Sequence, residues 1–182
     1  MLKIPYFLPW INKNDEKEVI KSMRQRWLTN GPYLEKFEKN FSSFIGTKFS
    51  SGVNSATSAL HVACMSIGLN KNDYLWTVPN TFIASANCGL YCGAKIDFVD
   101  IDYETGSISL EKLEKKLFKA KKEKKLPKIV IPVHYAGHPT QQEKIWKLSK
   151  IYQFKIIEDA SHSLGAKRNS EKVGSCRWSH IT

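Results

Sequence analysis

With 182 residues, 42% of them hydrophobic, and five tryptophans, the chain can bury the core of one domain and lacks the composition of a disordered segment. No apolar run reaches the roughly 20 residues of a membrane span, and residues 1–10 carry one lysine, two prolines and no cleavage-like site, so a cytoplasmic protein without a signal peptide is expected. The net charge of +11 raises nucleic acid as a partner, but nine lysines against three glutamates between Glu111 and Lys128 supply +6 of it, as the solvated face of one helix, so no nucleic-acid role is expected.

In chain order, Pro5 and Pro9 oppose a helix at the start. Asn14 can cap a helix through Arg26 with Val19, Ile20 and Met23 on its inner face. Leu28-Thr29-Asn30-Gly31-Pro32 breaks that helix. A second, from Tyr33 to Ile45, carries Leu34, Phe37, Phe41 and Phe44 at helical spacing and ends at Gly46. The pattern then alternates: a strand at Phe49–Val53, a helix at Ala56–Gly68, a strand at Tyr74–Val78, a helix at Phe82–Tyr91 and a strand at Ile96–Val99. The lysine-rich helix follows over Leu110–Lys125 with Leu113, Leu117 and Phe118 among the lysines, then a strand at Lys128–Val133, a helix at Gln141–Tyr152 and a strand at Phe154–Ile157. Such alternation predicts an α/β fold with a parallel sheet covered by helices on both faces. The residues approaching Thr182 have the pattern of another strand, and a fragment of a longer protein is expected.

Four segments carry candidate chemistry. Gly52-Val53-Asn54-Ser55-Ala56-Thr57-Ser58-Ala59-Leu60 runs from a strand end into a helix start. Its small residues and unpaired amides suit a phosphate, although an ordinary Ser/Thr cap reads equally well. Phe82 follows a strand, where it can lie on a planar ring or pack in the core. His134 and His138 sit four apart, but Gly137 and Pro139 prevent the helix that would align them on a metal, so a loop in a pocket wall is expected. Cys88 and Cys92 have no CxxC or nearby histidine to complete a metal site and read as buried thiols. No metal is expected. Finally, Lys155-Ile156-Ile157-Glu158-Asp159-Ala160-Ser161-His162 ends a strand in two carboxylates, placing Asp159 and His162 where α/β proteins bind ligands, or else at a helix cap. A phosphate cradle, a stacking aromatic and a carboxylate that keeps a ring nitrogen protonated together point to pyridoxal 5'-phosphate (PLP).

Asn54-Ser55-Ala56-Thr57-Ser58-Ala59-Leu60-His61, Thr81-Phe82-Ile83-Ala84-Ser85-Ala86-Asn87, Gly93-Ala94-Lys95, Phe98-Val99-Asp100-Ile101-Asp102, Glu158-Asp159-Ala160-Ser161-His162 and Val173-Gly174-Ser175 resemble the DegT/DnrJ/EryC1/StrS sugar aminotransferases. These are fold-type-I PLP enzymes, and the likeness runs along nearly the whole chain. Leu75-Trp76-Thr77-Val78-Pro79-Asn80-Thr81-Phe82, Leu126-Pro127-Lys128 and Gly174-Ser175-Cys176-Arg177 resemble the branch that aminates C4 of a UDP-4-keto-6-deoxy-N-acetylhexosamine, a pseudaminic acid precursor, with L-glutamate as donor.

The resemblance implies an N-terminal helical arm over residues 1–48 and an incomplete PLP-binding large domain over 49–182. It implies Ala56 and Thr57 at the cofactor phosphate, Phe82 stacked on the ring, Asp159 on the pyridine nitrogen and His162 near the ring hydroxyl. Thr29, Asn30 and Gly31 would border the sugar pocket and Tyr6 would touch sugar. A homodimer is implied for the whole protein. The family's Schiff-base lysine would lie beyond Thr182, and neither Lys167 nor Lys172, expected in a surface loop, replaces it, so this chain alone is expected to be inactive. A histidine at that downstream position would instead signal a sugar dehydratase, and neither residue a non-catalytic homologue.

Overall fold

The computed structural model describes Pro5 and residues 8–182. Helix α1 spans Lys13–Met23, α2 Pro32–Ile45, α3 Ala56–Ser66, α4 Ala84–Tyr91, α5 Leu110–Glu123 and α6 Gln142–Tyr152. Strands β1 (Tyr74–Thr77), β2 (Lys95–Phe98), β3 (Ile129–Val130) and β4 (Lys155–Ile156) form a parallel sheet in the order β2-β1-β3-β4. A two-stranded antiparallel hairpin follows, with β5 at Lys167–Arg168 and β6 at Glu171–Lys172. Near the end of the chain Ile181 makes a parallel bridge to Ile157 along the free edge of β4, where the sequence suggests a further strand.

The sheet has a core on each face, and alternation along the strands sorts residues between them. Trp76, Val130 and Ile156 pack with Leu113, Leu117, Ile145 and Leu148 of α5 and α6. Leu75, Ile129, Ile131 and Ile157 pack with Leu60, Cys64 and Cys88 of α3 and α4. Each fully buried residue of this size stabilises the fold by roughly 1.5–3 kcal/mol. Runs such as Ile129-Val130-Ile131 are apolar throughout because both faces are covered.

The register places Trp76 beside Asp97 on one side and Val130 on the other. Successive strands are joined by crossover helices, so all four point their carboxyl ends at the same edge. Segments 78–83, 131–140 and 157–163 emerge there.

Several sequence expectations need correction. The cap of α1 is Asn12, not Asn14: Asn12 Oδ1 accepts from the amides of Asn14 and Asp15, and Asp15 returns a carboxylate to the Asn12 amide, a reciprocal box. Val19, Ile20 and Met23 are exposed, so within the described residues α1 buries none of its own apolar face. No strand forms at Phe49–Val53. The Gly52 amide is taken by Glu38 Oε1 at 2.7 Å, and Phe49 and Val53 face solvent. The strand expected at Lys128–Val133 is continuous only over Ile129–Val130; Pro132, with no N–H to donate, interrupts it before Val133 makes an isolated parallel bridge to Asp159. Helix α4 begins at Ala84, leaving Phe82 in the preceding turn. Phe118 is exposed while Leu113 and Leu117 carry the α5 contact.

Candidate active site

The carboxylate of Asp159 sits just past β4, buried, with its backbone locked to the neighbouring strand end. Its amide donates to Pro132 O at 3.0 Å and its carbonyl accepts from the His134 amide at 3.1 Å. On the side chain, Oδ1 accepts from the Ser161 hydroxyl at 2.7 Å and the Ser161 amide at 3.3 Å. Oδ2 accepts from Ser85 Oγ of α4 at 2.6 Å. Every one of these donors is neutral, and among the described residues no lysine, arginine or histidine forms an ion pair with Asp159. A buried carboxylate held by neutral donors at the functional edge of a parallel sheet retains acceptor capacity for a cationic N–H.

Phe82 is joined to this carboxylate through Ser85, whose amide and hydroxyl both contact Phe82 O, at 3.2 and 3.3 Å. The phenyl ring is 73% exposed, which is abnormal for a core phenylalanine but suits a face open to a ligand. Helix α3 packs on α4 through the buried thiols of Cys64 and Cys88. The hydrogen bond with the adjacent Cys88 thiol, and then burial, push the Cys64 thiol far above its ordinary range, so Cys64 stays a neutral packing group.

At the start of α3, Ser55 Oγ accepts from the Ser58 amide at 3.1 Å. The cap reading of this segment is met. Ser55 is a true cap, yet the exposed first residue Ala56 and half-buried Thr57 present first-turn amides that have no intrahelical acceptor.

His162 is exposed, and its backbone is closely approached by the 3₁₀ turn Tyr135–Gly137: a Cβ on Gly137 would lie 2.8 Å from His162 O. Thr29 and Asn30 are exposed in the α1–α2 connection. Gly31 is the buried N-cap of α2, where a Cβ would lie 2.5 Å from Trp27 O. Among the described residues no hydrogen bond ties this connection to Asp159 or Phe82. Tyr6 lies outside the described residues. Lys167 and Lys172 sit in the β5–β6 hairpin, not in an irregular loop, and the Lys172 ammonium contacts the carbonyl and ring of Phe44 at the end of α2.

Sequence reasoning missed two contributors. Ser85 was read only as part of a motif, although its fourfold spacing from Thr81 puts both hydroxyls on one side of the turn entering α4, 3.0 Å apart. His134 does line a cavity, as expected, and its further role as a buried structural pin is what the sequence did not show. Its Nδ1 accepts from the Thr140 amide at 3.0 Å and its Nε2 lies 2.8 Å from Glu158 Oε2. A backbone amide can only donate, so Nδ1 carries no proton. The ring proton is therefore on Nε2 and is directed at Glu158 Oε2. His134, Thr140, Gln142, Glu158 and Arg168 line a cavity of about 460 Å³ whose walls do not include Asp159, Phe82 or Thr57. It lies to the other side of the strand end, away from the carboxylate just described.

The fold and this edge define a class: α/β enzymes of the PLP-dependent transferase fold, of which the chain holds a parallel-sheet portion. The DegT/DnrJ/EryC1/StrS aminotransferase family model matches residues 9–181, and the chain belongs to that family. It is 38% identical over 164 residues to the UDP-4-amino-4,6-dideoxy-N-acetyl-β-L-altrosamine transaminase of Campylobacter jejuni, covering 90% of this chain and 42% of that protein. It is 34% identical over 172 residues to the spore coat polysaccharide biosynthesis protein SpsC of Bacillus subtilis, covering 94% of this chain and 43% of that one. The solved structure of Helicobacter pylori PseC, an aminotransferase involved in the biosynthesis of pseudoaminic acid, superposes with a TM-score of 0.85 at 31% identity, over 93% of this chain and 44% of that one. The chain thus spans about two-fifths of the length of the curated relatives it matches. The family's cofactor is pyridoxal phosphate. The donor set here fits that group, with a buried unpaired carboxylate, an open aromatic face and free amides at a helix start.

Proposed function

We propose that the protein containing this chain is a nucleotide-sugar aminotransferase that moves an amino group from L-glutamate to C4 of a UDP-4-keto-6-deoxy-N-acetylhexosamine. The observation that carries the proposal is Asp159: a buried carboxylate at the carboxyl end of β4, satisfied only by neutral donors and one hydrogen-bonded step from the exposed Phe82. The altrosamine transaminase likeness supports the sugar class.

In this reading the Ala56 and Thr57 amides at the positive end of α3 hold the cofactor phosphate. Phe82 covers one ring face and Asp159 keeps the ring nitrogen protonated. His162 stands by the ring hydroxyl, while Thr29, Asn30 and Gly31 border the sugar. When bound, pyridoxal phosphate supplies an electron sink for the carbon that loses or gains the amino group. A second copy of the protein would complete the pocket.

The test uses the whole reading frame that contains this chain. The purified protein is titrated with PLP by visible absorbance, then given L-glutamate and a UDP-4-keto-6-deoxy-N-acetylhexosamine. Formation of the 4-amino sugar with matching 2-oxoglutarate is expected. Asp159→Asn should weaken PLP binding on the order of a hundredfold, as loss of a desolvated charge partner does. PLP binding without any amination of UDP-4-keto sugars would refute the substrate assignment, and Asp159→Asn binding PLP normally would refute the site.

A further inference from the structure

Ser85 is wholly buried, and its hydroxyl is the only side-chain group from another element that hydrogen-bonds Asp159 among the described residues. A serine hydroxyl has one proton. Ser85 Oγ lies 2.6 Å from Asp159 Oδ2 and 3.3 Å from Phe82 O, and its one proton goes to the nearer carboxylate, leaving the Ser85 amide as the donor to Phe82 O. The Thr81 hydroxyl, 3.0 Å from Ser85 Oγ, must then donate to Ser85. The result is a directed relay, Thr81 to Ser85 to Asp159 Oδ2, spanning the turn that carries Phe82.

Ser161 grips only Oδ1 and belongs to the same loop as Asp159, so it moves with it. Ser85 is different: it crosses 74 residues of sequence and fixes the carboxylate against α4. With both oxygens restrained, the carboxylate plane cannot rotate, and its remaining acceptor directions are preset. The same bond fixes the spacing between Asp159 and the Phe82 backbone.

Resting on the functional reading above, we propose that Ser85 is a positioning residue for the cofactor. It orients the Asp159 carboxylate toward the ring nitrogen and couples that orientation to the Phe82 turn. Its effect is exerted through Asp159, not by contact with the cofactor.

The experiment measures the PLP dissociation constant and the visible circular dichroism of bound PLP for the full-length protein and for Ser85→Ala, Ser85→Thr, Asp159→Asn and the Ser85→Ala/Asp159→Asn double variant. Thermal midpoints are recorded alongside. Loss of a hydrogen bond to a charged group predicts that Ser85→Ala raises the dissociation constant about tenfold and alters the dichroic band. Ser85→Thr, which keeps the hydroxyl, should restore both. In the Asp159→Asn background Ser85→Ala should change affinity by less than about twofold, because the charge it orients is gone. A merely structural serine would weaken binding by the same factor in both backgrounds, and that result overturns the proposal. So does Ser85→Ala binding PLP as the unsubstituted protein does. If the unsubstituted protein binds no PLP, the functional reading itself fails and this inference falls with it.

Discussion

Replacing His134 by alanine should cost far more stability than replacing its partner Glu158 by glutamine. His134 and Glu158 are 2% and 5% exposed, and the imidazole serves two masters, accepting from the Thr140 amide and donating to Glu158. His134→Ala strips the buried Glu158 side chain of its partner, and breaking a buried pair from one side costs about 3–5 kcal/mol. It also orphans the Thr140 N–H, worth roughly 1–3 kcal/mol if water does not replace the ring. These terms overlap wherever water enters the cavity beside them, so a net loss of about 4 kcal/mol is expected. That is a large share of the roughly 5–15 kcal/mol that holds a typical domain. Glu158→Gln keeps an oxygen that can accept from Nε2–H and removes a buried charge, so a change within about 1 kcal/mol is expected. Urea unfolding of the full-length protein, followed by tryptophan fluorescence at constant m-value, measures both. Equal losses in the two variants would refute the argument. So would an NMR spectrum showing the His134 proton on Nδ1, since Nδ1 would then be unable to accept from Thr140.

The remaining predictions probe backbone, core and pH. Gly137 and Gly165 both have positive φ, +83° and +82°, but a Cβ meets His162 O at 2.8 Å at Gly137 and nothing within 4 Å at Gly165. Gly165→Ala should therefore cost only the left-handed strain of about 1 kcal/mol. Gly137→Ala should cost about 1–3 kcal/mol more, and equal unfolding midpoints would contradict that contact. Leu113→Ala, at a fully buried position of α5, should lose about 2–5 kcal/mol, whereas Val19→Ala on the exposed face of α1 should stay within about 0.5 kcal/mol in monomeric protein. The His180 imidazole is held below its ordinary pKa by burial first and then by Lys155 and Lys150, and its Nδ1 accepts from the Ile156 amide at 3.1 Å. Its neutral form is the folded form, so this contribution is intact above about pH 6.5 and is lost as pH falls below it. His180→Asn, which retains an acceptor but cannot protonate, should flatten the pH dependence of the unfolding midpoint between about pH 7 and 5.

The fold was largely legible because its information is local. Apolar periodicity located α2, α5 and α6, and the alternation of helix with strand predicted a parallel sheet covered on both faces. Misreadings arose where a neighbour decided the outcome. Val53 and Phe49 have the residues of a strand, but Glu38 claims the Gly52 amide that a ladder would have used. Asn14 and Asn12 are equally good caps by type; the acceptor-donor exchange with Asp15 selects Asn12. Ser85 could not be singled out from sequence, because its partner Asp159 lies 74 residues away.

The adjacent carboxylates at the end of β4 show how the sheet converts a local pattern into a division of labour. In the sequence Glu158-Asp159 is simply a doubled charge. On a strand, however, neighbouring side chains diverge. Ile156 packs toward α5 and α6, and Ile157 toward α3 and α4. Continuing that alternation sends Glu158 to the α6 side, where His134 neutralises its isolation, and Asp159 to the α4 side, where only hydroxyls and an amide meet it. One carboxylate reaches across to His134 through Oε2 and ties the ends of β3 and β4 together. The other is held in place and left with unspent acceptor capacity toward the edge where Phe82 is exposed. Exchanging the two residues would keep composition and charge unchanged, yet it would bury a short carboxylate beyond reach of His134 and direct a longer, looser one past Ser85. The order of these two acids, not their presence, decides which of them faces α6 and which faces α4.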